Sequence, residues 1–280
     1  MATTTIRQGP VLPAPSGRAG FGGTLRSEFT KIGSVRSTYW TLLALFAVSV
    51  GIGAGISGIS ANSWSNTPPA DRTPFDATQI SLAGLLILGQ LVIVVLGAQV
   101  LTAEYSTGMI RTSLIAMPRR IVIYLAKAAA FTAVALAVSL ATAFTAFFLG
   151  QSLLASTHHS ATLAGPDVLR AVIGSALYLT LCGLFAFAAA AIIRNTAATI
   201  TTMIGLLFVL PVLVNLTPWH NDLVRWLPSS AARAISATVW NAGPQNSHLF
   251  FPWGQFAVFA ACTAVLLVVG GILFRKRDAW

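Results

Sequence analysis

An all-α membrane protein with six transmembrane helices is what this sequence predicts, and three observations predict it. Six stretches contain no Asp, Glu, Lys or Arg: 37–70, 77–103, 128–166, 171–193, 195–221 and 234–274. Each exceeds the ~20 residues that a helix needs to cross a bilayer. Hydrophobic residues make up 55% of the chain and charged residues 9%, with a mean hydropathy of +0.77, whereas a soluble domain carries roughly 25% charged residues. Within the stretches the apolar residues lie on every side rather than along one stripe, so the helices face lipid or one another.

Residues 1–23 are rich in Thr, Pro, Gly and Ala and lack an apolar core. They read as a disordered cytoplasmic tail rather than a cleavable signal peptide, followed by one six-span domain over 24–280. From Thr24 to Thr38, Leu25, Phe29 and Ile32 recur at i, i+4 and i+7, with Arg26, Lys31 and Arg36 mostly off that stripe. This is the pattern of an interfacial amphipathic helix. It leads at Tyr39 and Trp40, aromatic residues suited to the headgroup layer, into a first span over about 40–60. Further spans are expected at about 80–102, 125–149, 169–193, 197–216 and 255–274, the fourth and fifth meeting at a tight turn around Arg194 and Asn195. The segment from Thr217 to Gly254 is too long and too apolar for a simple loop. Its four tryptophans, Trp219, Trp226, Trp240 and Trp253, prefer an interface, while Pro228, Pro244 and Pro252 break it into short pieces. It is expected to fold back on the membrane as a partly helical outer segment.

Basic residues accumulate on cytoplasmic flanks. With both termini inside, 13 of the 17 Lys and Arg residues fall on the cytoplasmic side, while Arg72, Arg170, Arg225 and Arg233 outside are balanced by Asp71, Asp76, Asp167 and Asp222. The net charge of +10 is thereby a topology signal. Without a basic surface interleaved with aromatic residues it does not point to nucleic acid, and contact with anionic membrane lipid accounts for it better. Fourteen arginines against three lysines, with abundant alanine, fit a GC-rich bacterial genome and hence a bacterial plasma membrane.

The sequence argues against chemistry in the chain itself. Gly53-Ala54-Gly55-Ile56-Ser57-Gly58 matches the GxGxxG pattern without a strand before it; Gly51 and Gly55 read instead as small-xxx-small helix packing. Gly55-Ile56-Ser57-Gly58 looks like the serine motif of rhomboid proteases, yet all four histidines (His158, His159, His220, His248) fall in expected outer loops, away from any serine they could activate. No metal-ligand spacing is present, so neither catalytic nor metal residues are assigned. Among the polar residues inside spans, Gln90, Gln99, Thr201, Thr202 and Asn215 either line a pathway or bond between helices. An autonomous secondary carrier or channel is the alternative, disfavoured by the scarcity of ionisable residues in the spans.

The most specific stretch is the cytoplasmic loop from Thr102 to Arg120. Ile110, Leu114 and Met117 form a small apolar stripe, Gly108 allows a sharp turn, and Pro118 ends the short helix. Here the chain resembles the ABC-2 type permeases of ATP-binding cassette transporters. Glu104, Gly108, Arg111, Thr112, Pro118 and Arg120 are similar to that family's signature after span two. Leu25, Glu28, Phe29, Lys31, Ile32 and Arg36, running into Tyr39 and Trp40, look like its elbow helix.

The resemblance implies a permease subunit of an exporter. The loop would be a coupling helix docking on a separate ATPase subunit, and two permease subunits, the same or related, would pair with spans two and five lining an exit route. ATP and Mg would sit on the partner, in keeping with a chain that has no GxxxxGK[ST] segment. Arg111 would then pair with acidic residues of the ATPase while Ile110, Leu114 and Met117 fill its groove; the alternative is that Arg111 only enforces topology.

Overall fold

A computed structural model describes residues 20–68, 75–106, 120–157, 160–217, 223–224, 226–238 and 251–276. Helix α1 (Phe21–Ser34) ends at Val35, whose extended backbone separates it from α2 (Arg36–Asn66). Then come α3 (Ala77–Gly84), α4 (Gln90–Ser106), α5 (Arg120–Leu154), α6 (Val168–Ile193), α7 (Thr196–Ile204), α8 (Leu210–Asn215), α9 (Pro228–Ser236) and α10 (Pro252–Lys276). Six continuous helical spans are long and apolar enough to cross a membrane: Arg36–Asn66, Ala77–Tyr105, Arg120–Leu154, Val168–Ile193, Thr196–Asn215 and Pro252–Lys276, called here spans one to six. The chain is a multi-pass membrane protein.

Spans alternate in direction, so the bundle has two ends. One gathers α1, the start of span one, the end of span two and the start of span three; α9 marks the other. Span four is the hub: 72% of its most apolar window is buried, against 22% for spans five and six. It packs against spans two, three and six. The core between them holds Phe131, Tyr178, Phe187 and Phe259, with Phe131 and Phe187 stacked at 6.3 Å and Tyr124 tilted against Phe187 at 5.2 Å.

Two backbone crossings set how closely the spans approach. Gly53 of span one meets span two, where a Cβ would lie 2.6 Å from the Ser81 carbonyl oxygen, and a Cβ on Gly84 would run into Ser49 and Gly53 in return. Spans two and four cross at Gly97 and Gly183, where a Cβ on Gly97 would overlap the Gly183 carbonyl. Such contacts let apolar helices gain dispersion energy where no hydrophobic drive separates helix from lipid. Gly51 and Gly55, the glycines singled out in the sequence, lie on the exposed side of span one with nothing among the described residues within 4 Å of either Cβ position. The packing glycine is Gly53, because the face of span one that turns inward is offset from theirs.

Spans two and five each contain a five-residue π-helical turn, Leu85–Gly89 and Gly205–Val209, closed by i→i−5 bonds from Gln90 N–H to the Leu85 carbonyl and from Leu210 N–H to the Gly205 carbonyl. In span five the cause is Pro211, which donates no N–H and crowds the preceding turn. Both turns rotate the residues that follow them, Gln90 and Pro211, relative to a continuous α-helix.

The turn between spans four and five is as tight as the sequence indicates. Arg194 adopts the left-handed conformation (φ 59°), its N–H bonding the Ala190 carbonyl, and Asn195 caps α7 by accepting from Ala198 N–H at 2.9 Å. In the segment before span six, α9 begins at Pro228 and packs on spans four and six. Arg170 of span four donates to the Ala234, Ile235 and Ala237 carbonyls at its C-terminal end. Asp76 caps α3 through Thr78 and Gln79 N–H and accepts from Thr238 N–H at 2.6 Å, so two of the charges assigned to the outer side pin α9 to the bundle.

Candidate functional site

The chain has only two glutamates and three lysines, and the fold brings both glutamates and two of the lysines to one place at the α1 end. Lys127 Nζ donates to Glu28 Oε2 at 2.6 Å and to Glu104 Oε1 at 2.8 Å; Lys31 Nζ donates to Glu28 Oε1 at 2.8 Å and to Glu104 Oε1 at 3.1 Å. The four groups form a closed ring of alternating charge, summing to zero. Lys127, Glu28 and Glu104 are at most 10% exposed at the side chain, and Lys31 is 35% exposed at the rim. Charges this far from water persist only when paired with good geometry.

Three elements supply the ring. Glu28 and Lys31 sit one turn apart on the inner side of α1, Glu104 near the end of span two, and Lys127 two turns into span three. Burial lowers the affinity of Lys31 for its proton, but the hydrogen bond to Glu28 and the charge of Glu104 outweigh that and hold its pKa above the usual lysine value. Its tie is therefore complete below about pH 10.5 and is lost only as pH rises through the higher folded-state value.

This geometry bears on two readings of the sequence. The inner face of α1 is built around Glu28 and Lys31, flanked by half-buried Leu25 and Ile32, whereas Phe29 is 40% exposed; a buried ring of charge joins this helix to spans two and three. Glu104, grouped above with the residues facing an ATPase, spends its carboxylate inside the bundle. Arg36 and Arg120 stand at the first turns of spans one and three, Arg36 exposed and Arg120 half-buried. Gly108, Ile110, Arg111, Leu114, Met117 and Pro118 lie outside the described residues, as do residues 1–19 and the four histidines.

Beside the ring, Thr196 Oγ1 of span five donates to Thr102 Oγ1 of span two at 2.8 Å, and the Arg194 guanidinium lies 5.3 Å over the Tyr105 ring. Spans two and five thus touch at the α1 end. Toward the α9 end a cavity of about 390 Å³ lies between them. Leu86, Ile87 and Gln90 line it from span two, Pro211 and Asn215 from span five. Tyr178 closes its floor by donating its hydroxyl to Gln90 Oε1 at 2.9 Å, and α9 roofs it with Ser229, Ala232 and Arg233.

Of the five polar residues considered for a pathway, Gln90 and Asn215 reach this cavity. Gln99 is half-buried elsewhere on span two. Thr201 and Thr202 sit on the exposed side of span five, their hydroxyls donated to the Ala197 and Ala198 carbonyls of their own helix. Ser57 is buried and donates to the Gly53 carbonyl at 2.8 Å, its hydroxyl against Gly150 of span three, which makes it a packing residue. Among the described residues no group of three or more His, Cys, Asp or Glu is placed to hold a metal ion.

Sequence reasoning missed Lys127 as a site residue. The available signal was the scarcity of Glu and Lys together with the equal membrane depth expected for positions 28, 31, 104 and 127. Comparison of the sequence with protein-family models and with curated proteins returns no match.

Proposed function

We propose that this chain is the membrane-spanning permease subunit of an ATP-binding cassette exporter of the ABC-2 type, non-catalytic itself and driven by a separate ATPase subunit that binds ATP and Mg. The observation that carries this reading is the ion ring. Glu104 and Lys127 flank the loop 107–119 on either side, and both are bonded to α1. A partner that pulls on the loop therefore moves the ends of spans two and three and the entry helix as one body. In this reading the loop is the coupling helix, with Ile110, Arg111, Leu114 and Met117 docking on the ATPase, and α1 is the elbow helix.

The second support is the cleft between spans two and five, closed at the α1 end by Thr102 and Thr196 and open around the cavity at the other. Both spans carry a π-turn beside it, the kind of irregularity at which a helix bends. Alternating access then requires only two packings of these spans that the nucleotide states of the ATPase favour differently. Two permease subunits, identical or related, face each other across the route in a bacterial plasma membrane, both termini cytoplasmic and α9 outside.

An autonomous carrier would use buried ionisable groups to bind its coupling ion near the midplane. The ring lies at helix ends and satisfies itself, which favours a fixed tie. Arg111→Glu and Gly108→Pro are expected to leave membrane insertion intact and to uncouple ATP hydrolysis from transport; unchanged transport in both variants removes the coupling assignment. Single cysteines near His158 and Asn246 are expected to react with an impermeant maleimide from outside the cell and one near Gly108 only after permeabilisation. The reverse pattern overturns the orientation.

A further inference from the structure

The lining of the cavity between spans two and five specifies a chemistry. One side is apolar: Ala83, Leu86, Ile87 and Pro211 leave a greasy wall continuous with the spans. The other side is polar: Gln79 and Asn215 spend their NH2 groups on Ser236 Oγ and the Pro211 carbonyl and present amide oxygens, while Arg233, Ser229 and Gln90 supply donors and the only charge among the described residues of the lining. Arg233 has no ion pair among the described residues and lies on the exposed side of that helix. The Ser229 hydroxyl is shielded from solvent and has no hydrogen-bond partner among the described residues, an arrangement that costs free energy unless something else fills the valence. Gln90 gives its oxygen to Tyr178, which leaves its amide NH2 as the group it can offer to the cavity.

No carboxylate lines this space among the described residues. Asp76, three residues before Gln79 of the lining, accepts from three backbone N–H groups of α3 and of the residues after α9. A cationic ligand would meet Arg233 with nothing to pair it. An uncharged apolar ligand would leave the donors unsatisfied.

We propose that this cavity binds an amphipathic anion, a carboxylate or phosphate head on a single apolar chain, with the head under α9 against Arg233, Ser229 and Gln90 and the chain along Leu86, Ile87 and Pro211. A volume of about 390 Å³ falls within the usual ligand-pocket range of roughly 300–1,000 Å³. It accommodates one chain rather than a two-chain lipid. That this anion is the exported substrate rests on the permease reading above; that it binds does not.

The test is equilibrium binding to the full chain in nanodiscs of zwitterionic lipid, with dodecanoate and dodecyl phosphate as probes. Dodecyltrimethylammonium, dodecanol, acetate and inorganic phosphate serve as comparisons. Both amphipathic anions are expected to bind and to compete for one site. Arg233→Ala is expected to weaken them at least about tenfold, as for loss of a charge-assisted hydrogen bond, with Arg233→Lys retaining most of the affinity. Ala83→Phe, which fills the apolar side, is expected to abolish binding, with a monodisperse elution profile showing that each variant is folded. Equal binding of the cation or the alcohol, tight binding of the headgroups alone, or affinities indifferent to both Arg233→Ala and Ala83→Phe would overturn the proposal. Binding as expected but no ATP-driven movement of the probe would count against the permease reading and leave the ligand class standing.

Discussion

Replacing Lys127 with Met is expected to destabilise the protein by about 3–5 kcal/mol, the cost of removing one partner from a buried ion pair. Lys127 is the ring member most deeply withdrawn from solvent, at 3% side-chain exposure, and among the described residues it alone contacts Glu28 Oε2. Without it two buried carboxylates share the half-exposed Lys31, and one of them must take up a proton or draw in water. Against a total stability of roughly 5–15 kcal/mol, thermal unfolding of the detergent-solubilised chain should shift by on the order of 10 °C. The informative control removes the ring altogether. The triple variant Glu28→Gln, Glu104→Gln, Lys127→Met leaves no buried charge unpaired and should recover most of that loss, because neutral replacements of a buried ion pair cost far less than a broken one. A Lys127→Met protein that unfolds with the parent would show that the ring does not hold α1 to spans two and three. If the triple variant recovers stability but couples poorly to the proposed ATPase partner, the ring serves transmission more than folding.

The second large effect is expected at the crossing of spans two and four. Gly97→Val places a branched side chain against the main-chain carbonyl of Gly183. The atom it meets belongs to the hub helix and cannot swing away as a side chain would. The loss should exceed the ~1–3 kcal/mol typical of overpacking, seen as aggregation on extraction or a sharp drop in unfolding temperature. Gly51→Val is the matched control: the same substitution in an apolar span, at a position with nothing among the described residues within 4 Å, should change stability by less than about 0.5 kcal/mol. Equal losses at the two positions would mean that Gly51 is packed against another subunit and that the crossing at Gly97 has room to yield.

These two sites mark the limit of what the sequence discloses. The spans were legible because absence of charge over twenty or more residues has one main physical explanation, and the Arg194-Asn195 turn because Arg194 interrupts two such runs. The face each span buries was not legible. In a helix apolar all round, no periodicity separates Gly53, which meets span two, from Gly51 and Gly55, which face outward. The π-turns leave no compositional trace beyond Pro211, since one extra residue per turn changes register without changing residue type. The ion ring was hidden by distance along the chain: Lys127 lies 99 residues from Glu28 and 23 from Glu104, and Lys31 lies 73 from Glu104. Each charge taken alone reads as an ordinary flank residue, and only the fold shows that four flank residues neutralise one another out of water.

The cavity was legible in part. Gln90 and Asn215 stood out as polar residues in apolar spans, while Tyr178, Ser229 and Arg233 did not, because they come from the hub helix and from a segment whose return to the bundle depends on the Arg170 and Asp76 contacts. Thr201 and Thr202 stood out equally and proved to face away, their hydroxyls absorbed by their own helix. A polar residue in a span marks a pathway only when its helix turns it inward.

The most direct test of the account is co-purification of this chain in nanodiscs with candidate ATPase subunits, followed by ATP hydrolysis with and without it. The account predicts a stable complex whose hydrolysis rate changes on adding the chain and whose dependence on the chain is lost in Arg111→Glu. An ATPase that never associates, together with purified chain moving solute along an ion gradient by itself, would contradict it.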